Sequence, residues 1–489
     1  MFLLKTTMSK AQERHILYYL NLAKTNGDER WRATEQEYDQ IVHSWNLLTE
    51  EQADFDANRA KVVLEFIWSV RKYQNIRGLW RDQISWCERG LAVARMHQNV
   101  AEEMRLVNNI GSCNEELGNP VLAIENYQQA VALLDSMDSH PAQKGVVLNN
   151  LASASHRLGR IDDCLDYLMQ SLAIHKSVGP REAVARVLSN IGQIYTNLGE
   201  WQRALEHLEQ SLALREELGD QRGKAVTLNN IGLIYDNMGD YDRALDHYQN
   251  SLLIRRERGD KEGEATVLIN IGSIHGSMGK SEIALDHYSE ALAVFRDTNN
   301  RYGEADALNN IGSAYNDLND PEHALQYFEE VLQIYRALQH IHGEAATLTN
   351  IGTTQQRAGK NKQALTSYRK SLPLWRKIGN RQYEALTLSS MGVVYGDLRL
   401  FDNALKYHDR ALTIRRSLGD RPGEALTLYN IGFTWEQQGD FEEAQLHYKQ
   451  SLAINKSTGS PDLKRDKQAL ARVKRKLSDR RRSDIQPQQ

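Results

Sequence analysis

Proline is scarce, with 8 residues in 489; together with 25% charged residues and a mean hydropathy of −0.59, this suits a soluble, almost wholly helical chain. Only three cysteines occur, Cys87, Cys113 and Cys164. They lie far apart in no paired metal spacing, which excludes a disulfide framework and implies reduced thiols in a cytoplasmic protein. No apolar run approaches the 18 or so residues that a membrane span needs. The opening MFLLKTTMSK turns polar too early for a secretory signal. Neither charge dominates: a net charge of −4 and a pI near 6.5 give no general attraction to nucleic acid or to an acidic membrane. Catalytic signatures are missing as well, with no HExxH, no paired CxxC and no serine elbow.

What the chain has is repetition. The segment TLNNIGLIYDNMGDYDRALDHYQNSLLIRRERGDKEGEAT, residues 227–266, returns with a 40-residue period. Its Asn-Ile-Gly triplet recurs at Asn190, Asn230, Asn270, Asn310, Asn350 and Asn430, while Ser390-Met391-Gly392 keeps only the glycine. Two earlier copies, at Asn109 and Asn150, stand 41 residues apart. A period in this range marks a solenoid, whose units are too small to bury their own apolar faces and therefore stack. Within one unit Leu228, Ile231 and Tyr235 mark a first helix, and Tyr241, Ala244, Leu245, Tyr248 and Leu252 a second. Gly239-Asp240 separates the two and Gly259-Asp260 ends the pair. Gly232, Ala244 and Ser251 are small because two helix backbones must approach there.

Gly232, Tyr235, Ala244 and Tyr248, with Ser251 in the small-residue slot, resemble the signature of the tetratricopeptide repeat, with Leu228 where that family often has Trp. The period of 40 resembles the family's longer variety. The resemblance implies an all-α, right-handed superhelix (an α-solenoid) of helix-turn-helix repeats, with atypical helical caps at both ends.

The expected organisation is a flexible N-terminus at 1–8, an N-terminal helical cap at 9–63, a degenerate repeat at 64–103, nine repeats at 104–459, a capping helix at 460–479 and a disordered tail at 480–489. In the first cap, Ile16, Leu17, Leu20 and Ala23 mark one helix, and Trp31, Tyr38, Ile41, Val42 and Trp45 another, with Thr25-Asn26-Gly27-Asp28 between them. The degenerate repeat keeps Gly78 at its turn and Gly90 in the small slot. Segments such as RHILYYLNLAK and LEFIWSVRKYQNIRGLWRDQISWCERGLAVAR are similar to the lead-in of sensor arrays in bacterial STAND-type signalling ATPases. That similarity implies a sensor or adaptor, standing alone or as a piece of a longer product. At the other end Ser460 and Pro461 start a helix with the apolar stripe Leu470, Val473 and Leu477, and its other face is basic, read as solvated in preference to a docking site.

No catalytic constellation emerges. Gly276 to Ser281 imitates part of a phosphate-binding loop but lacks the four-residue gap and falls at a helix-helix turn. His207, His247, His287 and His447 share one repeat position, but repeats hold equivalent atoms on the order of 10 Å apart, too far for one metal ion. They are read as ordinary histidines, and the row Tyr195, Tyr235, Tyr315 and Tyr395 as packing between helices. No cofactor and no metal are expected.

The resemblance places the first helices on a concave wall that binds extended peptides or helices. Six positions per repeat, illustrated by Val226, Asn229, Asn230, Leu233, Asp236 and Asn237, hold fifteen asparagines but four arginines, seven acidic residues and no lysine. An amide-lined wall suits a polypeptide backbone, because Asn both donates and accepts. The candidate groove is the row Asn109, Asn150, Asn190, Asn230, Asn270, Asn310, Asn350 and Asn430. Its variable neighbours include Arg105, Arg157, Arg186 and Arg357 for acidic groups, Asp306 and Asp317 for basic ones, and Tyr429 and Phe433 as an apolar anchor. The competing reading is that these asparagines bond to the next repeat and serve stacking. The expected function is a non-catalytic scaffold holding a protein or peptide, an adaptor or sensor in bacterial signalling. The alternatives are an allosteric receptor for a short signalling peptide and the sensor fragment of a larger ATPase. The few basic residues argue against nucleic acid, no membrane partner is expected, and self-association is left open.

Overall fold

The computed structural model describes residues 10–25, 31–49, 56–137 and 140–485, which form twenty-four helices and no strand. The expected flexible start and the separator at 26–28 lie outside the described residues. The architecture is an all-α repeat solenoid. It divides into two compact units, residues 1–247 and 248–489.

Turn chemistry sets the helix lengths. Most repeat helices have 17 residues, for example Gln221–Asn237 and Lys261–Ser277. Gly239 and Gly279 follow first helices at φ +76° and +73°, a left-handed conformation that an L side chain rarely tolerates. Asp220, Asp260 and Asp420 then open the next pairs, accepting hydrogen bonds from the backbone N–H of Gly223, Gly263 and Gly423 at 2.9, 3.1 and 2.9 Å. The Gly-Asp step read as a stop is thus also a start.

The triplet glycine has a specific partner. In the first unit a Cβ on Gly111 would lie 2.7 Å from the Tyr127 ring, and one on Gly192 would lie 2.6 Å from Leu208. In the second unit Gly272, Gly352 and Gly392 face Tyr288, Tyr368 and His408 at 2.6 Å, Gly312 faces Phe328 at 2.9 Å, and Gly432 faces Tyr448 at 3.0 Å. A second-helix side chain therefore lies flat on the bare first-helix backbone. The small slot closes the other end: Ser171 and Ser211, both fully buried, donate to the Gly145 and Ala185 carbonyls at 2.7 Å.

Successive repeats are tied by charge at the turns. Arg256, Arg296, Arg336, Arg376 and Arg416 reach Glu264, Glu304, Glu344, Glu384 and Glu424 at 2.7–2.9 Å. All but Glu344 of these carboxylates are buried, and each arginine, together with Lys261, Arg301, Arg381 or Arg421 three residues before the buried carboxylate, offsets the desolvation of its charge. In the first unit Lys224 and Glu216 make the same contact with the signs reversed, at 2.8 Å.

The N-terminal end packs differently. Helices Lys10–Thr25, Tyr38–Leu48, Ala57–Arg77 and Trp80–Met96 enclose Ile16, Ile41, Trp45, Phe66 and Trp86, and the rings of Trp45 and Trp86 stack at 4.4 Å. Arg59 is buried and donates to the Leu48 carbonyl at 2.7 and 2.9 Å, satisfying a helix end. The helix of the degenerate pair begins at Ala57, earlier than the 64 expected, because Asp56 caps it through the Arg59 N–H.

At the C-terminal end the helix runs from Leu463 to Ile485, starting three residues after the expected 460 and ending six residues beyond the expected 479, and 486–489 lie outside the described residues. Leu470, Val473 and Leu477 cover Tyr448 and Ala444, as the stripe predicts. The basic face is not simply solvated. Arg472 makes two hydrogen bonds of 2.7 Å to buried Glu436, and Lys476 adds one of 2.9 Å. Fully buried Asp466 accepts from Ser451 and Asn455 at 2.6 and 2.8 Å. Burial alone would raise the Glu436 carboxyl, but hydrogen bonds from Arg472, Lys476 and Tyr448 outweigh it and hold the group at about 2.

Replacing Gly352 with Val should cost about 1–3 kcal/mol in equilibrium denaturation through overpacking against Tyr368. Gly276→Ala should be neutral or stabilise by up to about 1 kcal/mol, since its nearest neighbour is 3.9 Å away. Because folding lowers the Glu436 pKa from 4.5 to about 2, its contribution is complete above pH 4.5 and lost as the pH falls toward 2. Hydrogen-exchange protection factors across 463–485 should therefore fall in that window in the wild type, and Glu436→Gln should flatten that part of the dependence.

Candidate functional site

First helices of successive repeats touch one another within each unit, as Val100–Glu116 does with Pro141–Arg157 and Lys261–Ser277 with Arg301–Asp317. Their outward positions carry Val146, Val226, Leu233, Leu386, Leu426 and Phe433, each 37–46% exposed on an otherwise polar face.

The asparagine row has more than one role. Asn109 is buried and donates to Cys87 Sγ at 3.2 Å, which removes it from any surface. Asn150, Asn190 and Asn350 donate to Asn108, Asn149 and Asn309 at 3.2, 2.8 and 3.0 Å. In each case the acceptor is the amide one position before the equivalent residue of the preceding repeat. This is a stacking ladder, and it requires Asn at both positions. Where Ile269 takes the preceding slot, Asn310 instead donates to the Asp306 carbonyl of its own helix at 3.0 Å. Asn230, Asn270 and Asn430 are half-buried.

The variable neighbours also divide. Arg157 pairs with Glu115 at 3.3 Å across repeats, and Arg105 lies over Trp68 at 4.3 Å, so both cations are engaged internally. Arg186 and Arg357 are exposed, with no carboxylate in ion-pair range among the described residues. Asp306 accepts from the Tyr335 hydroxyl at 3.0 Å, and burial of that phenol, helped by the Asp306 charge, raises its pKa. Tyr429 is sandwiched between Tyr448, centroids 5.2 Å apart, and the Arg465 guanidinium at 4.1 Å. Phe433 stays exposed.

The structure brings some of these residues together at two clefts. In the first unit a cleft of about 620 Å³ is lined by Arg186, Asn190, Arg222, Val226 and Asn230. In the second a cleft of about 430 Å³ is lined by Val393, Gly396, Arg399, His408, Tyr429, Asn430 and Phe433. A third, of about 640 Å³, opens at the inter-repeat turns around Gly379 and Asp420. His408 is buried, and burial together with the charge of Arg415 pushes its imidazole down to about 4, so it is neutral at physiological pH. Gly396, Arg399 and His408 were not singled out from sequence. The signal was present as three departures from the repeat pattern within one copy.

The histidine row stacks on first helices, His207 on Tyr195 at 5.7 Å, His247 on Tyr235 at 5.5 Å and His287 on His275 at 5.5 Å. Tyr315 and Tyr395 occupy the same slot against Tyr327 and Tyr407, as packing between helices requires. Among the described residues no group of three His, Cys, Asp or Glu could hold a metal ion. The three cysteines are buried free thiols, and burial raises Cys87 to about 11, Cys113 to about 12 and Cys164 to about 11, which keeps them protonated. No helix among the described residues is long and apolar enough to cross a membrane.

The family model described as tetratricopeptide repeat matches residues 144–217, 223–297, 277–337, 303–377 and 383–457. No curated protein sequence matches. Similar solved structures include BtubC from P. vanneervenii, 22% identical over 45% of this chain and 90% of that one, with a TM-score of 0.39. The aspartyl phosphate phosphatase F of Bacillus subtilis is 13% identical over 76% and 96%, with a TM-score of 0.48. A Rap protein complexed with competence and sporulation factor is 14% identical over 69% and 99%, with a TM-score of 0.43. The likeness of the first hundred residues to STAND-type ATPases finds no support in these comparisons.

Replacing Asn350 with Ala should lower stability by about 1 kcal/mol, the usual worth of one hydrogen bond, since it removes a ladder contact. Asn310→Ala, which breaks only a bond within its own helix, should change melting by less than half as much.

Proposed function

The chain belongs to the tetratricopeptide repeat family, and from that premise we propose that it is a non-catalytic scaffold that holds a partner protein or peptide on the exposed face of its first helices. The observation that carries this reading is the coincidence of clefts with that face. In each unit a cleft opens at outward first-helix positions, Arg186, Asn190 and Asn230 in one and Tyr429, Asn430 and Phe433 in the other. The face is chemically varied from repeat to repeat while the core beneath it is uniform, as a binding surface on a repeated frame requires.

The amides act in two ways in this proposal. Those paired in the ladder present a remaining lone pair on Oδ1 to a backbone, joined by Asn230 within residues 1–247 and by Asn310 and Asn430 within 248–489. Side-chain preference comes from Arg186 and Arg357 for acidic residues and from Phe433 for an apolar one. As part of the same proposal the protein is a cytoplasmic adaptor or sensor in bacterial signalling.

Panning a random peptide library against the full chain should enrich sequences with micromolar affinity. Arg186→Glu or Phe433→Ala should each weaken one class of them at least tenfold with melting unchanged. Enriched peptides that bind both variants as tightly as wild type would refute the first-helix face as the site.

A further inference from the structure

The cleft beside His408 is the imprint of a contact that sibling repeats make. Tyr127, Tyr368 and Tyr448 each carry their hydroxyl to a first-helix side chain twelve residues earlier: Glu115 at 2.9 Å, Gln356 at 3.4 Å and Glu436 at 2.9 Å. In the repeat formed by Arg381–Asp397 and Phe401–Leu418 both halves of that bond are gone. His408 stands in the tyrosine's slot and Gly396 in the acceptor's.

Elsewhere such losses are filled. Leu168, Leu208 and Phe328 occupy the slot without a hydroxyl, all of them buried. Gly276 also lacks an acceptor, and there Tyr288 turns its hydroxyl to Ser273 at 3.3 Å. Where the neighbouring ring pair is lost, at Gln355 and Ser367, a hydrogen bond of 2.8 Å replaces it. At Gly396 nothing does: a Cβ there would meet no atom within 4 Å. The His408 ring, 1% exposed, leaves its Nδ1 without a hydrogen-bond partner. The Nδ1 atoms of His175, His207 and His275 are likewise buried without a hydrogen-bond partner, so what sets His408 apart is the open space beside it at Gly396.

One more departure falls on the same cleft. Arg399 holds φ +57° at a turn where seven of the other eight repeats have glycine, and its exposed guanidinium has no carboxylate in ion-pair range among the described residues. A strained residue that places an unpaired cation at the mouth of a cleft serves recognition better than it serves packing.

We propose that this cleft receives an aromatic side chain of the partner polypeptide, a phenol foremost, with its ring against Phe433 and its hydroxyl on the imidazole of His408. The walls Tyr429 and Phe433 favour a ring. A phenol hydroxyl both donates and accepts, so it satisfies the imidazole in either neutral tautomer. A volume of about 430 Å³ lies at the small end of ligand pockets and holds one ring together with part of the chain that carries it. Arg399 then meets a carboxylate next to the aromatic residue. This deepens the scaffold reading and rests on it for the identity of the occupant as a polypeptide.

The test uses the full chain and p-cresol, the tyrosine side-chain analogue, by isothermal titration calorimetry, with toluene as the matched probe. Saturable binding of p-cresol is expected with a dissociation constant on the order of 1 mM or tighter, the range open to so few atoms, and toluene should bind at least fivefold more weakly. Gly396→Gln and His408→Tyr restore side chains that sibling repeats carry, so both should fold, raise the melting temperature and reduce p-cresol binding at least tenfold. Phe433→Ala, at an exposed position, should also weaken it. Undiminished p-cresol binding in the refilled variants, equal affinity for toluene, or no saturable binding would overturn the proposal. The titration involves no partner, so its failure leaves the Arg186 arm of the peptide panning standing, and a failed panning leaves the titration interpretable.

Discussion

The whole stack depends on the absence of one side chain. Where a first-helix glycine meets a second-helix ring, the ring lies on bare backbone, and this contact sets how close the two helices come. Much that repeats follows from that spacing: the alanine facing it is fully buried at Ala204, Ala284, Ala324, Ala364, Ala404 and Ala444, and the slot serines Ser171 and Ser211 reach a carbonyl on the opposite helix. A solenoid has only nearest-neighbour contacts, so an error in one such spacing cannot be averaged away by distant parts of the chain.

Polar contacts set register on top of this apolar frame. Arginine–glutamate pairs at the turns and the asparagine ladder both join a repeat to the one before it, the pairs at the start of the first helix and the ladder at its middle. Neither is a large source of stability, because each exchanges hydration for a protein partner. Their effect is to make an offset stack costly, since a shift would cost a buried carboxylate such as Glu384 its partner on the preceding repeat, Arg376. The C-terminal helix uses the same logic, with Glu436 and Asp466 as buried acceptors that only a correctly seated helix can satisfy.

Much of this was legible in the sequence, for physical reasons that differ by level. The period and the Asn-Ile-Gly and Gly-Asp signals gave the repeats, because each reports a local backbone requirement. The stripe Leu470, Val473 and Leu477 gave the cap. The basic face of that helix misled: charge patterning shows that Arg472 and Lys476 are cations but not that a carboxylate 36 or 40 residues away is buried beneath them. The asparagines were ambiguous for a related reason. Whether Asn150 or Asn310 pairs across repeats depends on the residue in the preceding slot of the neighbouring copy, Asn108 in one case and Ile269 in the other. Reading the copies for their agreement located the frame, and the cleft at His408 lies where they disagree.

That disagreement bears on a problem every periodic surface has. A ligand matched to a uniform array can bind at any multiple of the repeat length, so its bound states are degenerate and its alignment is undefined. Within residues 248–489 the copy containing Gly396, Arg399 and His408 breaks that translational symmetry. An extended chain that could slide by one repeat elsewhere has a single phase in which an anchoring group falls into the gap, and so one irregular copy converts a ruler with identical marks into one with an origin.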